Sequence, residues 1–105
     1  MFFGIVSFGQ KAEIKTIEFP VSGNCDMCKT RIENAADIKG VKLAVWNVEA
    51  KTIKVTYNEG KTTLTKVKEA IAKAGYDADG VIGDNKAYDA LPGCCQYRTR
   101  THSGN

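Results

Sequence analysis

Two hydrophobic periods alternate along the chain. From Glu13 to Val21, the apolar Ile17, Phe19 and Val21 alternate with Glu18 and Pro20, the two-residue period of a half-buried strand. Pro20 has no amide proton to donate, so the strand ends there or leaves that position unpaired. Ser22-Gly23-Asn24 is a loop. The period then lengthens. Cys28, Ile32, Ala35 and Ala36 share one face of a helix over about Asp26–Ala36, with Lys29, Glu33 and Asp37 on other faces. Gly40 suits its left-handed C-terminal cap. Val41–Glu49 is again a strand, with two competing phases: Ala44, Trp46 and Val48 in one, Val41, Leu43 and Val45 in the other. The phase of Trp46 is assigned to the core, which leaves Leu43 and Val45 as a partly exposed apolar patch. Ala50-Lys51 turns the chain into Thr52–Tyr57, where Ile53, Val55 and Tyr57 alternate with Lys54 and Thr56. A second helix over about Leu64–Ala74 carries the stripe Leu64, Val67, Ile71 and Ala74. Thr62 or Thr63 opens it and Gly75 closes it. Tyr76–Ala78 is a short last strand.

This order predicts an α+β fold, a ferredoxin-like βαββαβ sandwich with a four-stranded antiparallel sheet and two helices on one face. Residues 11–80 hold that unit, and 81–105 form a C-terminal extension. In the extension, Asn85–Leu91 supplies a helical turn or two, Pro92-Gly93 breaks it, and Cys94-Cys95 follow. Arg98–Asn105 is expected to fray. Within residues 1–10, Met1–Gly9 is apolar and uncharged, and Ser7-Phe8-Gly9 is a small-x-small triplet before the polar stretch that starts at Gln10. They are expected to be a signal-peptide remnant, or else a disordered terminus or short strand. The first reading puts the mature protein in the periplasm or outside the cell; the cytoplasm is the alternative.

Composition narrows the function classes. A chain of 105 residues is too short for separate cofactor and substrate domains. Its net charge of +3 comes from scattered residues, which is no footprint for nucleic acid. There is no run of about 18 apolar residues that would span a membrane. No Ser/His/Asp constellation, paired-carboxylate cleft or phosphate loop is visible. The unusual content is four Cys, two Met and one His.

Cys25-Asp26-Met27-Cys28 places a C-x-x-C at a loop-to-helix junction. The electropositive helix start favours thiolate over thiol, and the spacing lets both sulfurs converge. Two soft thiolates suit Cu(I) or Hg(II); tetrahedral Zn(II) needs four ligands. With the flanking Gly23-Asn24, Arg31-Ile32-Glu33, Gly40-Val41, Val55-Thr56-Tyr57 and Ala74-Gly75-Tyr76, the stretch from Glu13 to about Gly80 resembles a heavy-metal-associated domain. That fold is shared by copper metallochaperones, the soluble modules of copper-transporting ATPases and periplasmic mercury-binding proteins. The resemblance implies Cys25 and Cys28 as primary ligands. Topology puts Tyr76 at the same end of the sheet as the metal loop, where it either shields the metal, as the resemblance implies, or is a core or rim aromatic. The family's Gly-Met-x-Cys is replaced by the shorter Gly23-Asn24-Cys25, so the Met that packs beneath the loop is missing. Met27 lies inside the loop, where packing or solvent exposure is its ordinary role and thioether ligation the exceptional one.

Fourteen residues separate Gly80 from Cys94, enough to return along a strand of about 17–20 Å to the metal loop. Cys94 and Cys95 are then extra ligands, disulfide partners or idle thiols, and four cysteines allow three pairings. His102 belongs to the polar tail. Lys29 and Arg31 either balance a negative metal centre or are ordinary helix-surface charges, and Asp26 complements the helix dipole.

The expected function is a carrier or scavenger of a soft ion, Cu(I) first and Hg(II) or Zn(II) next, handed on by ligand exchange rather than catalysis. The expected partner is a metal donor or acceptor such as a copper-transporting ATPase or membrane transporter, and the chain is a monomer or a metal-bridged dimer. The alternatives are a thiol-disulfide oxidoreductase, against which Asp26-Met27 and the position of Pro92 speak, and an interaction module stapled by disulfides.

Overall fold

A computed structural model describes residues 13–97. The elements are β1 (Ile14–Pro20), α1 (Asp26–Ala36), β2 (Val41–Asn47), β3 (Thr52–Asn58), α2 (Leu64–Lys73), α3 (Asn85–Asp89) and a 3-10 turn at Gly93–Cys95. The strands form an antiparallel sheet of order β1-β3-β2. Phe19, Trp46, Ile53, Val55 and Tyr57 are buried on one face, where Ile32 and Ala36 of α1 and Val67 and Ile71 of α2 join them in a single core. On the other face Glu18 and Lys54 are exposed and the Thr16 and Thr56 hydroxyls lie 2.9 Å apart, beside the apolar Leu43 and Val45.

The competing phases of β2 have a structural cause. Its register against β3 shifts between Val41 and Leu43, a bulge that reverses which side chains face inward. Val41 packs against the core, contrary to the phase assigned to it, while Ala44 and Trp46 turn inward after the bulge. Leu43 and Val45 are exposed, as expected. β2 is also an edge strand. Its Trp46 amide donates to Glu33 Oε2 at 2.9 Å, and Lys29 Nζ donates to the Trp46 carbonyl at 3.2 Å. These α1 side chains, themselves an ion pair, satisfy groups that would otherwise template another strand.

The last strand contracts to one bridge, so the described residues form three strands rather than four. Ser22 N donates to Asp77 O (3.0 Å) and Asp79 N to Pro20 O (2.9 Å), which pairs Val21 with Ala78 beside β1. The chain then reverses. Asp79 and Gly80 have φ of 41° and 92°, and Ala78 and Val81 exchange both backbone hydrogen bonds. Two consecutive positive φ values define a type I′ turn, for which Asp-Gly is a preferred pair.

That reversal lays the extension back over the core. Asp84 N donates to Ala72 O at 2.8 Å, and Asp84 Oδ2 caps α3 by accepting from Ala87 N at 2.8 Å. Gly83 lies so close to Gly75 that a Cβ there would stand 2.6 Å from the Gly75 carbonyl carbon. Tyr88, Leu91, Cys95 and Tyr97 are buried in the same cluster as the sheet, so the core runs through residue 80 without a break. No described helix is long and apolar enough to cross a membrane. The expected signal remnant and the tail with His102 lie outside the described residues.

Candidate metal centre

Cys25 occupies the N-cap of α1 in extended conformation, and its carbonyl accepts from Lys29 N at 3.0 Å. Its thiol faces free amides of the first turn without completing a capping hydrogen bond. One turn on, Cys28 points into the core and is fully buried, its Sγ 3.7 Å from Cys25 Sγ. The Asn24 amide donates to Cys28 Sγ at 3.4 Å.

Trp46 supports the loop from below. A Cβ on Gly23 would stand 2.9 Å from the indole Cζ2, and the indole Nε1 donates to Val21 O at 3.0 Å. Only glycine at position 23 lets the indole approach the loop this closely.

The 3-10 turn brings the second cysteine pair to the same place and splits it. Successive side chains of a 3-10 turn point about a third of a turn apart. Cys95 faces inward, fully buried, and its Sγ forms a cluster with those of Cys25 and Cys28 in which all lie within 4.8 Å of one another. Cys94 faces outward and is not one of those mutually close sulfurs. Its Sγ lies 3.7 Å from Cys25 Sγ and 3.6 Å from Met27 Sδ. Its carbonyl accepts from Asn24 Nδ2 at 3.1 Å, which ties the turn to the loop. All four cysteines are free thiols.

Tyrosines close the inner side. The Tyr76 ring is buried, and its hydroxyl has no hydrogen-bond partner. Burial, then the neighbouring thiols of Cys95 and Cys28, hold its ionisation far above the ordinary range. Tyr97 stacks on Tyr76 with ring centroids 5.9 Å apart. Its hydroxyl donates to Gly75 O at 2.8 Å and accepts from Asp77 N at 3.0 Å. Tyr88 meets Tyr97 edge-on at 5.2 Å. Tyr88 and Tyr97 were not among the residues expected at the site. No local periodicity singled them out, because their burial depends on contacts across the chain reversal.

The electrostatics separate the rim of the cluster from its floor. Burial pushes the Cys25 thiol up, but the backbone amides of Cys28 and Met27 and the thiols of Cys94 and Cys28 together bring it down to about 7. Burial, followed by the Cys28 thiol, pushes Cys95 up to about 12. Lys29 is engaged with Glu33 and the Trp46 carbonyl rather than with the sulfurs. Asp26 and Arg31 are exposed.

A small α+β domain with thiols gathered at a loop-helix junction is a soft-metal-binding module. The heavy-metal-associated domain model matches residues 21–77, and the chain belongs to that family. Copper chaperone CopZ of Staphylococcus epidermidis (strain RP62A) is 38% identical over 55 residues, which cover 51% of this chain and 81% of CopZ. The copper-exporting P-type ATPase of Bacillus subtilis (strain 168) is 34% identical over 74 residues, 69% of this chain but 9% of the ATPase. Among solved structures, a CopZ metallochaperone matches with a TM-score of 0.58 and 33% identity, over 61% of this chain and 98% of that one. Oxidized MerP from Ralstonia metallidurans CH34 matches with a TM-score of 0.60 and 28% identity, over 64% and 97%. The family model ends at residue 77, so Cys94, Cys95 and Tyr97 lie beyond it.

Proposed function

We propose that the protein is a carrier of Cu(I), held by Cys25, Cys28 and Cys95 and passed on by thiolate exchange. The observation that carries this reading is the gathering of these three sulfurs within 4.8 Å. Three thiolates suit a trigonal soft ion such as Cu(I) or Hg(II), whereas a structural zinc site takes four ligands. Cys94 is not among the sulfurs that all lie within 4.8 Å of one another, which puts Zn(II) last. The similarity to proteins named as copper chaperones and a copper-exporting ATPase supports copper as the cargo.

Exchange starts at Cys25, the partly exposed member of the cluster. A first acceptor thiolate bonds the ion as the bond to Cys25 gives way, and a second acceptor thiolate displaces the buried sulfurs, which take up protons from solvent. The ion stays monovalent throughout, and the protein acts as a carrier, not an enzyme. The expected acceptor is a metal-binding module of a copper-transporting ATPase. Work outside the cytoplasm, expected from residues 1–10, is part of the proposal and is checked by cell fractionation.

The test is anaerobic competition of the reduced full chain against a chromophoric Cu(I) chelator. The account expects tight uptake that Cys25→Ser and Cys28→Ser abolish and Cys95→Ser weakens. Equal uptake by all variants contradicts it. The lowered Cys25 thiol beside Cys28 also suits thiol-disulfide exchange. Catalytic reduction of insulin by the metal-free protein would favour that reading.

A further inference from the structure

We propose that Cys94, Met27 and Cys25 form a second, outer subsite for Cu(I), joined to the inner cluster through the shared Cys25 sulfur. The proposal rests on the carrier reading above and extends it to a second ion and a route of transfer.

The 3-10 turn divides the two cysteines of the extension. If both cysteines of the extension served one ion, both sulfurs would face the C-x-x-C. Instead Cys95 joins the buried cluster and Cys94 turns to solvent. Outward orientation alone would describe an idle thiol. Cys94, however, meets two other sulfurs, with Cys25 Sγ at 3.7 Å and Met27 Sδ at 3.6 Å. Both separations fall within the span of about 4.6 Å that two bonds of about 2.3 Å to one ion can cover. Met27 is about half exposed, at 49%, so its contact with Cys94 is not forced by burial in the core. The Asn24 amide group anchors the Cys94 carbonyl at 3.1 Å, which holds the turn against the loop.

The donor set defines the ion. A thioether carries no charge and is a poor ligand for Zn(II), but together with thiolates it selects Cu(I). Cys25 belongs to both groups of sulfurs, so an ion can cross between them without release. The bonds to Cys94 and Met27 break as bonds to Cys28 and Cys95 form, while the bond to Cys25 persists. Cys28 and Cys95 give up their thiol protons; the Cys94 thiolate takes one and the other passes to solvent. The copper stays Cu(I), and no oxidant is consumed.

The experiment is anaerobic titration of the reduced full chain with Cu(I), with ion count and chain count read together by native mass spectrometry. The unmodified monomer is expected to take two ions. Cys94→Ser and Met27→Leu should each weaken the second ion by about tenfold or more, the scale on which even indirect metal partners act, and leave the first in place. Met27→Leu conserves volume at an exposed position, so the fold is retained. A monomer that stops at one ion, or a second ion that either variant leaves intact, overturns the outer subsite while the carrier reading stands. A chain that takes no copper overturns the carrier reading itself.

Discussion

The rim and the floor of the sulfur cluster are built by different means. The rim, Cys25 with Met27, belongs to the loop and first helical turn, and backbone amides together with the Cys94 and Cys28 thiols bring the Cys25 thiol down to about 7. The floor is Cys28 with Cys95, both fully buried, and burial pushes Cys95 up to about 12. The family-model match contains the rim and Cys28 but ends at residue 77. Cys95 arrives only because the chain reverses at Asp79–Gly80 and returns. The difference teaches that one site can combine a labile thiolate from a shared loop with a protected sulfur from an added segment. Lability at the rim permits exchange; burial at the floor keeps solvent and competing ligands out.

The sharpest way to break the contrast is to lift the extension. Gly83→Ala puts a methyl 2.6 Å from the Gly75 carbonyl carbon and 2.7 Å from its oxygen, and neither backbone can yield. A loss of about 2–3 kcal/mol, the upper range for overpacking, is expected from urea denaturation. Cys95 should then become open to alkylation at pH 8, while Cys25 loses the Cys94 thiol but keeps the amides of Cys28 and Met27 and stays reactive.

Tyr97→Phe is gentler. It removes the hydrogen bonds to the Gly75 carbonyl and from the Asp77 amide and keeps both ring contacts. About 1–2 kcal/mol should be lost by the same measurement, the cost of disrupting paired polar groups at a buried position.

Without any mutation, pH separates rim from floor. A thiol is alkylated as its thiolate, so labelling of Cys25 should rise with pH and reach half its maximal rate near pH 7. Cys95, whose thiol is held up at about 12, should stay unlabelled through pH 9. Iodoacetamide labelling followed by peptide mass spectrometry assigns each rate. A Cys95 that labels alongside Cys25 would erase the distinction.

The smallest effect serves as a control. Lys68 reaches Asp79 of the reversing turn at 2.8 Å, with the Asp79 side chain 44% exposed. Lys68→Ala should cost no more than about 1 kcal/mol, the range of surface ion pairs, and leave the labelling of both cysteines unchanged.

The sequence pattern and the fold agree where periodicity is local. The first helix occupies Asp26–Ala36 as expected, Thr63 is the N-cap of the second, and Trp46 faces the core. Three features escaped the pattern for identifiable reasons. A bulge at the start of β2 moved Val41 inward, and alternation alone cannot register an inserted residue. The fourth strand shrank to a bridge because Asp79-Gly80 forms a type I′ turn directly after Ala78. That dipeptide was visible, but its turn competes with strand extension only once Val81 is placed opposite Ala78. The burial of Tyr88, Leu91 and Tyr97 depends on contacts across the chain reversal, which no local window contains. In the site, the C-x-x-C and Tyr76 could be located from spacing and topology. The division of Cys94 from Cys95 could not, because it follows from the turn that carries them.

X-ray absorption at the copper edge of the chain loaded with one Cu(I) tests the central claim most directly. Three sulfur neighbours in the unmodified protein, falling to two in Cys95→Ser, are the result this account requires. A two-sulfur centre that Cys95→Ser leaves unchanged would contradict it and return the extension to a purely structural role.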